Sequence, residues 1–227
     1  EWQPILFDYA TEKGLLWLST PTDREGVDQL DAIGVPAFKI SSYEAVDLSF
    51  VSYVASKGKP LIISTGMCTW GECLDIARTC VSVGNEQIAL LQCTSLYPAP
   101  YHLANLSAME TLLRLRYGLP SRCEDGLNVH PYIACGLSDH TPGIHIPIAA
   151  VALGASIIEK HFTLDRNLPG PDHRHSLEPD EFTAMVRQIR DVEAALGDGK
   201  KTGPAPEEAE MYQKARRSVV ATMDIPA

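Results

Sequence analysis

The sequence has few basic residues for its size. Its 227 residues include 19 Lys and Arg against 29 Asp and Glu, which gives a formal net charge of −10 at pH 7 and an isoelectric point near 5.1. Nucleic acids and anionic membranes are bound through clustered Lys and Arg side chains. The composition therefore argues against a nucleic-acid or membrane partner, and we expect the few basic side chains to act locally.

Long hydrophobic runs are also missing. No apolar stretch approaches the roughly 18 residues that a bilayer-spanning helix needs, although hydrophobic residues make up 45% of the chain. The first residues lack a basic region followed by a hydrophobic one, which is the pattern of a secretion signal. We therefore expect a soluble, cytoplasmic protein with one large core.

Cysteine and glycine patterns that mark common cofactor sites are missing as well. The six cysteines include no C-x-x-C pair, which argues against structural zinc and redox dithiols. Their irregular spacing in a chain of this length argues against a disulfide framework, so we expect reduced core cysteines. The sequence has neither a G-x-x-x-x-G-K nor a G-x-G-x-x-G loop, which speaks against an NTPase or a dinucleotide-dependent enzyme.

What the sequence does contain is one repeated pattern of a short apolar run, a polar cluster and a helix-length amphipathic segment. The apolar runs are continuous rather than alternating, which is typical of strands in a parallel sheet that helices cover on both faces. The pattern predicts six βα units, and the last helix begins near Pro179. The predicted strands are Leu15–Leu18, Ala37–Ile40, Leu61–Ile63, Ile88–Leu91, Tyr132–Leu137 and Ser156–Ile158.

Both a (β/α)8 barrel and an open doubly wound sheet fit this pattern. A barrel collects its site from all strand ends, whereas an open sheet uses the crevice where the strand order reverses. Polar clusters follow all six predicted strands, which favours an α/β fold of the (β/α)8 TIM-barrel type. Since such a barrel has eight strands in about 250 residues, we expect an incomplete barrel in which the first two strands are missing.

The domain organisation follows from this expectation. Residues 1–200 are predicted to form the partial catalytic barrel, and residues 201–227 are interpreted as a C-terminal linker. The chain begins at Glu1 in what looks like the end of a helix closed by Gly14, so we expect it to begin inside a domain. Residues 117–130 break the repeat with glycines, a proline and mixed charges, and we interpret them as a loop insertion.

The segment Ile133–His161 carries the strongest chemical signal. Side chains alternate along a strand, so Ser138 and His140 share one face of the fifth predicted strand. Glu159 and His161 share one face of the sixth in the same way. Two parallel neighbours would bring the imidazoles together, and such a pair leaves most of a metal's coordination sphere open to water and substrate. We therefore predict a catalytic divalent-metal site here, although a lone histidine at a strand end is more often a polar cap.

The polar residues at the strand ends form a candidate site that is rich in hydroxyl groups and has one obvious cation, Lys39. Hydroxyls around a lysine make a plausible phosphate cradle in an acidic protein, because they donate several hydrogen bonds without a large positive field. For any single serine, a role as a turn residue is the simpler interpretation. The candidate residues are Thr20, Lys39, Ser42, Glu44, Ser64, Thr94, Ser95, Tyr97, Ser138, His140, Glu159 and His161.

Six motifs stand in a fixed order along the chain. They are FKISSYE (38–44), PLIISTGM (60–67), LLQCTSLYPAP (90–100), GLSDHTPG (136–143), ALGASIIEKHFTLDRNLPGPDH (152–173) and ARRSVVA (215–221). Together they resemble the sialic acid synthase family, the phosphoenolpyruvate-dependent synthases of nonulosonic acids. The resemblance covers nearly the whole chain and is interrupted mainly by residues 117–130.

The resemblance implies an enzyme that condenses phosphoenolpyruvate with N-acetylmannosamine or a related N-acetyl sugar. Members of that family have a (β/α)8 barrel followed by a small antifreeze-like (SAF) domain, toward which residues 201–227 would lead. The small domain of the partner subunit covers the site, which implies a domain-swapped homodimer. A divalent ion, Mn²⁺ or Mg²⁺, is implied as the cofactor.

The resemblance also implies roles for individual residues by their position. His140 and His161 match the family's metal ligands, and with Glu44 and Glu159 they are expected to form the catalytic set. The residues expected around the sugar are Glu44, Tyr97, Glu159 and Asp172. The residues expected to bind phosphoenolpyruvate are Thr20, Lys39, Ser42, Ser64, Ser95 and Ser138.

Three positions depart from the family pattern. Tyr43 stands where a small residue or Phe is usual, Ser95 replaces an Asn of some members, and His175 replaces a small residue after the PGPDH motif. PGPDH favours an N-acetylneuraminate-like or legionaminate-like synthase, because pseudaminate synthases tend to carry GGPDS there. The alternatives are a legionaminate or pseudaminate synthase, another phosphoenolpyruvate-condensing barrel such as a DAHP synthase, and a non-catalytic sugar-phosphate binding barrel.

Overall fold

A parallel sheet of five strands lies at the centre of the computed structural model, which describes residues 3–116, 133–217 and 219–224. The strands pair in the order in which they occur in the chain, and every neighbouring pair is parallel. Five of the predicted strands are thereby confirmed, with small shifts at their ends. They are β1 (Phe38–Ile40), β2 (Leu61–Ser64), β3 (Ile88–Cys93), β4 (Ala134–Asp139) and β5 (Ile157–Lys160).

Helices connect consecutive strands, as the repeated pattern predicts. Parallel neighbours require a crossover connection, and a helix packed on the sheet provides it. The helices are α1 (Gln3–Glu12), α2 (Arg24–Ala32), α3 (Leu48–Ala55), α4 (Trp70–Ser82), α5 (Ala108–Arg116), α6 (His145–Ala152), α7 (Pro179–Leu196) and α8 (Ala209–Ala215). Short 3-10 turns occur at Tyr101–Leu103, His173–His175 and Pro206–Glu208.

Capping residues explain where several of these helices begin and end. The side chain of Asp23 accepts a backbone hydrogen bond of 2.7 Å at the start of α2, and Asp47 accepts one of 3.0 Å at the start of α3. Thr69 and Glu72 form a capping box at the start of α4. Each such cap contributes about 0.5–2 kcal/mol. Gly84, with φ of 83°, follows the end of α4 in a conformation that favours glycine.

The main core lies between one face of the sheet and the helices that cover it. Burial of each large apolar side chain in it contributes about 1.5–3 kcal/mol. Because side chains alternate along a strand, the opposite face of β1 and β2 carries Lys39 and Ser64. That face becomes the floor of the candidate site. The core cluster includes Phe38, Ile40, Leu61, Ile63, Val51 and Ile76.

The strand register aligns the carboxyl ends of β3, β4 and β5. Ser138 on β4 lies level with Cys93 on β3 and with Glu159 on β5. All strands run in the same direction, so the residues that follow them meet at one end of the sheet, the carboxyl ends of the strands. This end of the sheet holds the polar clusters that the sequence pattern identifies.

Leu15–Leu18 was predicted as a strand, and this prediction was wrong. The structure assigns no strand there, and Leu15 and Leu16 are exposed. Ser19, which follows this segment, is linked to β1 by a long backbone hydrogen bond of 3.5 Å from Lys39 N to Ser19 O. A strand needs a continued ladder of hydrogen bonds with a neighbour, which an apolar sequence cannot supply by itself. The described residues therefore contain five strands rather than six.

Some predictions fall outside the described residues. The loop insertion predicted for residues 117–130 lies there, as does Tyr132 at the beginning of a predicted strand. The absence of two initial barrel strands likewise stays a prediction. In the described part of the chain, no helix is both long and apolar enough to cross a membrane.

The chain divides into two compact units, residues 1–194 and 195–227. The first contains the sheet and α1 to α6. The second contains α8, on which Lys214 and Glu210 form an exposed ion pair of 2.6 Å. The predicted domain boundary at residue 200 and the role of the C-terminal segment as a linker stay predictions.

Candidate active site

Lys39 on β1 is buried at the carboxyl ends of the strands. Its Nζ donates to Ser64 Oγ at 2.8 Å and to the carbonyl oxygen of Ile40 at 3.0 Å. It lies 3.5 Å from Oε2 of Glu159, which also accepts a long hydrogen bond of 3.4 Å from Ser64 Oγ. A buried ammonium group requires such partners, because its desolvation is otherwise unfavourable. The structure thus brings together three predicted site residues from β1, β2 and β5.

This contact also reports the curvature of the sheet. β1 and β5 are its two edges, and four steps of about 4.8 Å would separate them by roughly 19 Å in a flat sheet. The 3.5 Å between Lys39 Nζ and Glu159 Oε2 requires the edges to curl toward each other. The sheet is therefore a parallel half-barrel whose concave face holds the site.

Gly66 follows β2 in close contact with two predicted serines. A Cβ atom at this position would lie 2.3 Å from Ser95 Oγ and 2.8 Å from Ser42 Oγ, so a larger residue would displace both. The backbone N–H of Gly66 donates to Ser42 Oγ at 2.9 Å. Ser95 Oγ is buried and has no hydrogen-bond partner among the residues that the structure describes. It is therefore a hydroxyl with unused capacity to bind a ligand.

A cavity of about 570 Å³ is lined by residues of the sheet and of α7. Thr20, which is exposed, lines it together with Lys39 and Glu159, and side chains of α7 such as Phe182 and Met185 form its apolar part. Lys39 and Glu159, which with Ser64 form the lysine cluster, therefore contribute to the polar lining of this cavity.

Two further predicted residues lie at the carboxyl ends of the strands. Ser138 is buried near the end of β4, level with Glu159. Glu44 follows β1, and its carboxylate accepts a short hydrogen bond from the Ser41 hydroxyl. That bond fixes Glu44 to its own loop.

His140 is buried one residue after β4. Its Nδ1 lies 2.9 Å from the carbonyl oxygen of Thr94 and 3.8 Å from Cys93 Sγ. A carbonyl oxygen only accepts, so Nδ1 carries the proton in this bond, and Nε2 of the neutral ring is available as a ligand. Burial opposes protonation of the ring, but the contacts with Cys93 and Thr94 outweigh it and raise the pKa of His140.

His161 follows β5, and the centroid of its ring lies 5.2 Å from that of His140. Burial lowers the pKa of His161, and the neighbouring His140 and His175 lower it further. A lowered pKa keeps the ring neutral, which is the state that binds a metal. The structure thus brings the two predicted metal ligands together.

Tyr97 packs over this pair of histidines. Its ring centroid lies 4.2 Å from that of His140 and 5.8 Å from that of His161. Burial, followed by the charges of Tyr43 and Cys93 in their ionised forms, raises the pKa of Tyr97 to about 12. The phenol therefore remains a hydrogen-bond donor at neutral pH.

Asp172 and His175 extend the histidine pair from the loop after β5. Asp172 is exposed, and its Oδ2 lies 3.9 Å from Nδ1 of His161. One ligand atom each from His161, Asp172 and His175 all lie within 4.8 Å of one another, a spacing that can hold a metal ion. Burial lowers the pKa of His175. Sequence reasoning did not assign His175 to the site, although its departure from the family pattern was a signal.

Asp139 and Lys160 form a buried ion pair on the other face of the two strand ends. The Lys160 Nζ lies 2.5 Å from Asp139 Oδ2, and the two side chains are 1% and 2% exposed. Lys160 also donates to the carbonyl oxygen of Thr141, while Asp139 accepts from Thr141 N at 3.0 Å and Oγ1 at 3.1 Å. This strand-end clamp, formed by Asp139, Thr141 and Lys160, adjoins His140 and His161 in sequence. Because side chains alternate along a strand, Asp139 and Lys160 point away from the face that carries Ser138 and Glu159, and neither was predicted as a site residue.

Comparison with known proteins gives this geometry a family. The model of the NeuB family matches residues 1–201. The chain is 42% identical over 219 residues to N,N'-diacetyllegionaminic acid synthase of Campylobacter jejuni, an alignment that covers 96% of this chain and 61% of the relative. It is 36% identical to N-acetylneuraminate-9-phosphate synthase of Mus musculus over 98% of this chain and 57% of the relative. The chain therefore spans about three fifths of the length of these curated relatives.

A solved structure agrees with the sequence relatives. The sialic acid synthetase of Leptospira borgpetersenii, solved with citrate, superimposes with a TM-score of 0.79 at 32% identity and covers 95% of this chain and 70% of that one. The α/β fold with its parallel half-barrel is thus shared with a sialic acid synthetase. By its family model, its relatives and its structure, the chain belongs to the NeuB family of sialic and related nonulosonic acid synthases.

Proposed function

We propose that this chain carries the phosphoenolpyruvate- and metal-binding part of a nonulosonic acid synthase. The enzyme condenses phosphoenolpyruvate with N-acetylmannosamine or a related N-acetyl sugar and yields a nine-carbon 2-keto acid and phosphate. One observation carries the proposal. The buried Lys39 contacts Ser64 and Glu159 at the carboxyl ends of the strands. The facing imidazoles of His140 and His161 lie at the same end of the sheet.

The lysine cluster supports a site for phosphoenolpyruvate. Lys39 is buried, and a phosphate can accept from its ammonium group in a charge-assisted hydrogen bond worth about 1.5–3 kcal/mol. Ser95 Oγ is a buried hydroxyl with no partner in the described ranges. The hydroxyl of Ser64 also bonds to Lys39, and Ser19 and Thr20 line the cavity. The proposed phosphoenolpyruvate-binding residues are Thr20, Lys39, Ser42, Ser64, Ser95 and Ser138.

The histidine pair supports a divalent-metal site, for which we propose Mn²⁺ or Mg²⁺. The residues fit such an ion, because His140 donates from Nδ1 to a backbone carbonyl, an arrangement that orients a metal-ligating histidine. When bound, the ion supplies Lewis-acid polarisation of the sugar's aldehyde oxygen. Tyr97 packs beside both rings and holds them in place.

The chain's own residues then bring the two substrates face to face. Lys39 and the serine hydroxyls hold phosphoenolpyruvate so that its C3 can form a bond with the aldehyde carbon of the open-chain sugar. Water adds at C2, and phosphate leaves. Orientation of this kind supplies much of the rate enhancement of a bimolecular reaction. The proposed contacts of the sugar are Glu44, Tyr97, Glu159 and Asp172. Of these, Glu159 contacts Lys39 and also lines the cavity.

The acceptor sugar is a finer question within the same proposal. The PGPDH motif and the similarity to N,N'-diacetyllegionaminic acid synthases of Campylobacter jejuni and Legionella pneumophila, at 42% and 40% identity, favour an N-acetylmannosamine-like or diacetamido sugar. A pseudaminate-type acceptor and a non-catalytic sugar-phosphate binding barrel are the alternatives. In the complete protein, we propose a domain-swapped homodimer in which the partner's antifreeze-like domain covers the site.

The test is release of inorganic phosphate from phosphoenolpyruvate by the complete natural protein that contains this chain. Release is expected with an N-acetyl or diacetamido sugar and divalent metal, and not when the sugar is omitted. Separate reactions with N-acetylmannosamine and a diacetamido hexose identify the acceptor. Tight binding of phosphoenolpyruvate without sugar-dependent release would favour the non-catalytic alternative.

A further inference from the structure

We propose that His175 is an additional metal ligand of this chain, and that it shifts the site's preference from Mg²⁺ toward a transition metal. The inference rests on the proposed metal site at His140 and His161. It adds a third imidazole from the loop after β5, where the family pattern has a small residue.

The state of the His175 side chain carries the inference. His175 is 9% exposed, and its Nε2 is a buried nitrogen for which the described residues provide no hydrogen-bond partner. Buried polar atoms normally have a partner, so an exception needs an explanation such as an ion. A metal ion would accept the lone pair of this nitrogen and satisfy it.

The position of His175 agrees with this role. Its ring centroid lies 4.9 Å from that of His161, which in turn lies 5.2 Å from that of His140. Its ligand atom is one of the three, with those of His161 and Asp172, that lie within 4.8 Å of one another. A single ion with bonds of about 2.0–2.2 Å to nitrogen and oxygen can be reached from groups at this spacing. His161, Asp172 and His175 therefore form one set of possible ligands, and the ring of His140 lies beside that of His161.

The loop that carries His175 is held in place by its own hydrogen bonds. Ser176 Oγ donates to the carbonyl oxygen of Asp172 at 2.7 Å, and Leu177 N donates to that of His161 at 2.9 Å. The neighbouring His173 is engaged elsewhere, since its Nδ1 lies 2.7 Å from Thr163 Oγ1. His173 thus anchors the loop, while His175 faces the histidine pair.

The ligand chemistry sets the expected selectivity. Imidazole suits Zn²⁺, Fe²⁺ and other transition metals, whereas Mg²⁺ prefers carboxylate, carbonyl and water oxygens. Each added imidazole therefore strengthens binding of Co²⁺ or Zn²⁺ without a matching gain for Mg²⁺. We expect this chain to bind Co²⁺ and Zn²⁺ more tightly than a member with a small residue at position 175.

The experiment measures Co²⁺ binding to the metal-free complete natural protein, by its visible absorption spectrum and by competition with a metal indicator. Loss of a residue that only supports a metal ligand weakens metal binding by about 10- to 100-fold. His175→Ala is expected to weaken Co²⁺ binding by at least this much. It is also expected to change the visible spectrum, and Mg²⁺ affinity is expected to change less. His102→Ala, at an exposed histidine on another loop, is the matched control and should change neither.

The outcomes separate this inference from the proposed function. If the unaltered protein and the His175→Ala variant bind Co²⁺ with the same affinity and spectrum, while His161→Ala loses binding, then His175 is not a ligand and the metal site stands. If the unaltered protein binds no Co²⁺, the proposed metal site itself is wrong. His175→Gln is measured in parallel. If the Ala variant loses the native circular dichroism spectrum, the Co²⁺ affinity and visible spectrum of the Gln variant determine whether His175 is a ligand.

Discussion

Lys39 is the residue on which the proposed substrate site depends most. Its ammonium group is buried and bonded to Ser64, beside a half-exposed Glu159. A buried cation contributes little to the stability of the fold, because its partners must first compensate the cost of removing the charge from water. Its placement at the strand ends is better explained by an anionic ligand.

Replacing Lys39 by Ala should weaken phosphoenolpyruvate binding far more than sugar binding. The lost charged hydrogen bond is worth about 1.5–3 kcal/mol, which corresponds to about a 10- to 150-fold loss of affinity. Isothermal titration with each substrate measures the two effects separately. Lys57→Ala, which removes a lysine paired with Asp28 on the surface, is the control. An unchanged affinity for phosphoenolpyruvate in the Lys39 variant would refute its role.

Gly66 allows a second test of the same site without removing any charge. An added Cβ atom would displace the hydroxyls of Ser42 and Ser95, because it would lie less than 3 Å from each. Two neutral hydrogen bonds are worth about 1–3 kcal/mol together, so Gly66→Ala should weaken phosphoenolpyruvate binding by about 5- to 150-fold. Gly71→Ala meets its nearest atom at 3.9 Å and should leave binding unchanged. Equal affinities for the two variants would argue against serine contacts to the ligand.

At the scale of elements, the ends of β4 and β5 are joined by the strand-end clamp of Asp139, Thr141 and Lys160. The clamp holds the two strand ends from which His140 and His161 follow directly. We interpret it as the feature that keeps the two imidazoles at a fixed separation.

Lys160→Ala should destabilise the protein strongly, since it leaves the Asp139 carboxylate buried without its partner. Breaking a buried ion pair in this way costs about 3–5 kcal/mol. Urea unfolding followed by circular dichroism measures the change in the free energy of unfolding. Arg114→Ala, which breaks an exposed pair with Glu110 on α5, should change it by less than about 1 kcal/mol. Similar effects of the two substitutions would show that the clamp contributes little.

The elements could be predicted from the sequence where local pattern decides the structure. Continuous apolar runs identified five strands, and the last helix begins at Pro179 as the sequence pattern predicts. Leu15–Leu18 has an equally apolar pattern but no ladder with a neighbouring strand in the structure, and pairing cannot be read from one segment. Facing histidines followed from the alternation of side chains along β4 and β5. The approach of His175 did not, because it depends on how the irregular loop after β5 folds back.

At the scale of the whole molecule, the half-barrel explains how one site is assembled from distant parts of the chain. Curvature brings Lys39 on one edge strand within 3.5 Å of Glu159 on the other, and both residues line the cavity. The chain spans 61% of the Campylobacter jejuni relative and 57% of the mouse relative. Turnover, acceptor and assembly are accordingly questions for the complete natural protein.

The proposed metal requirement is a property of that complete protein. Treatment with a chelator should abolish phosphate release that depends on the sugar, and added Mn²⁺ should restore it. His161→Ala should regain little activity on metal addition, because it removes a proposed ligand at the end of β5. Full activity in protein shown by elemental analysis to be metal-free would contradict the metal site.

The reaction proposed for the complete protein forms a carbon–carbon bond between phosphoenolpyruvate and a sugar. The most direct measurement supplies phosphoenolpyruvate labelled with ¹³C at C3 to the complete protein with divalent metal and the acceptor sugar, and follows the label by NMR and mass spectrometry. We predict a nine-carbon 2-keto acid whose labelled C3 is bonded to the former aldehyde carbon, with one phosphate released for each product. Labelled pyruvate and phosphate without a nine-carbon product, or bound phosphoenolpyruvate that is never consumed, would contradict it.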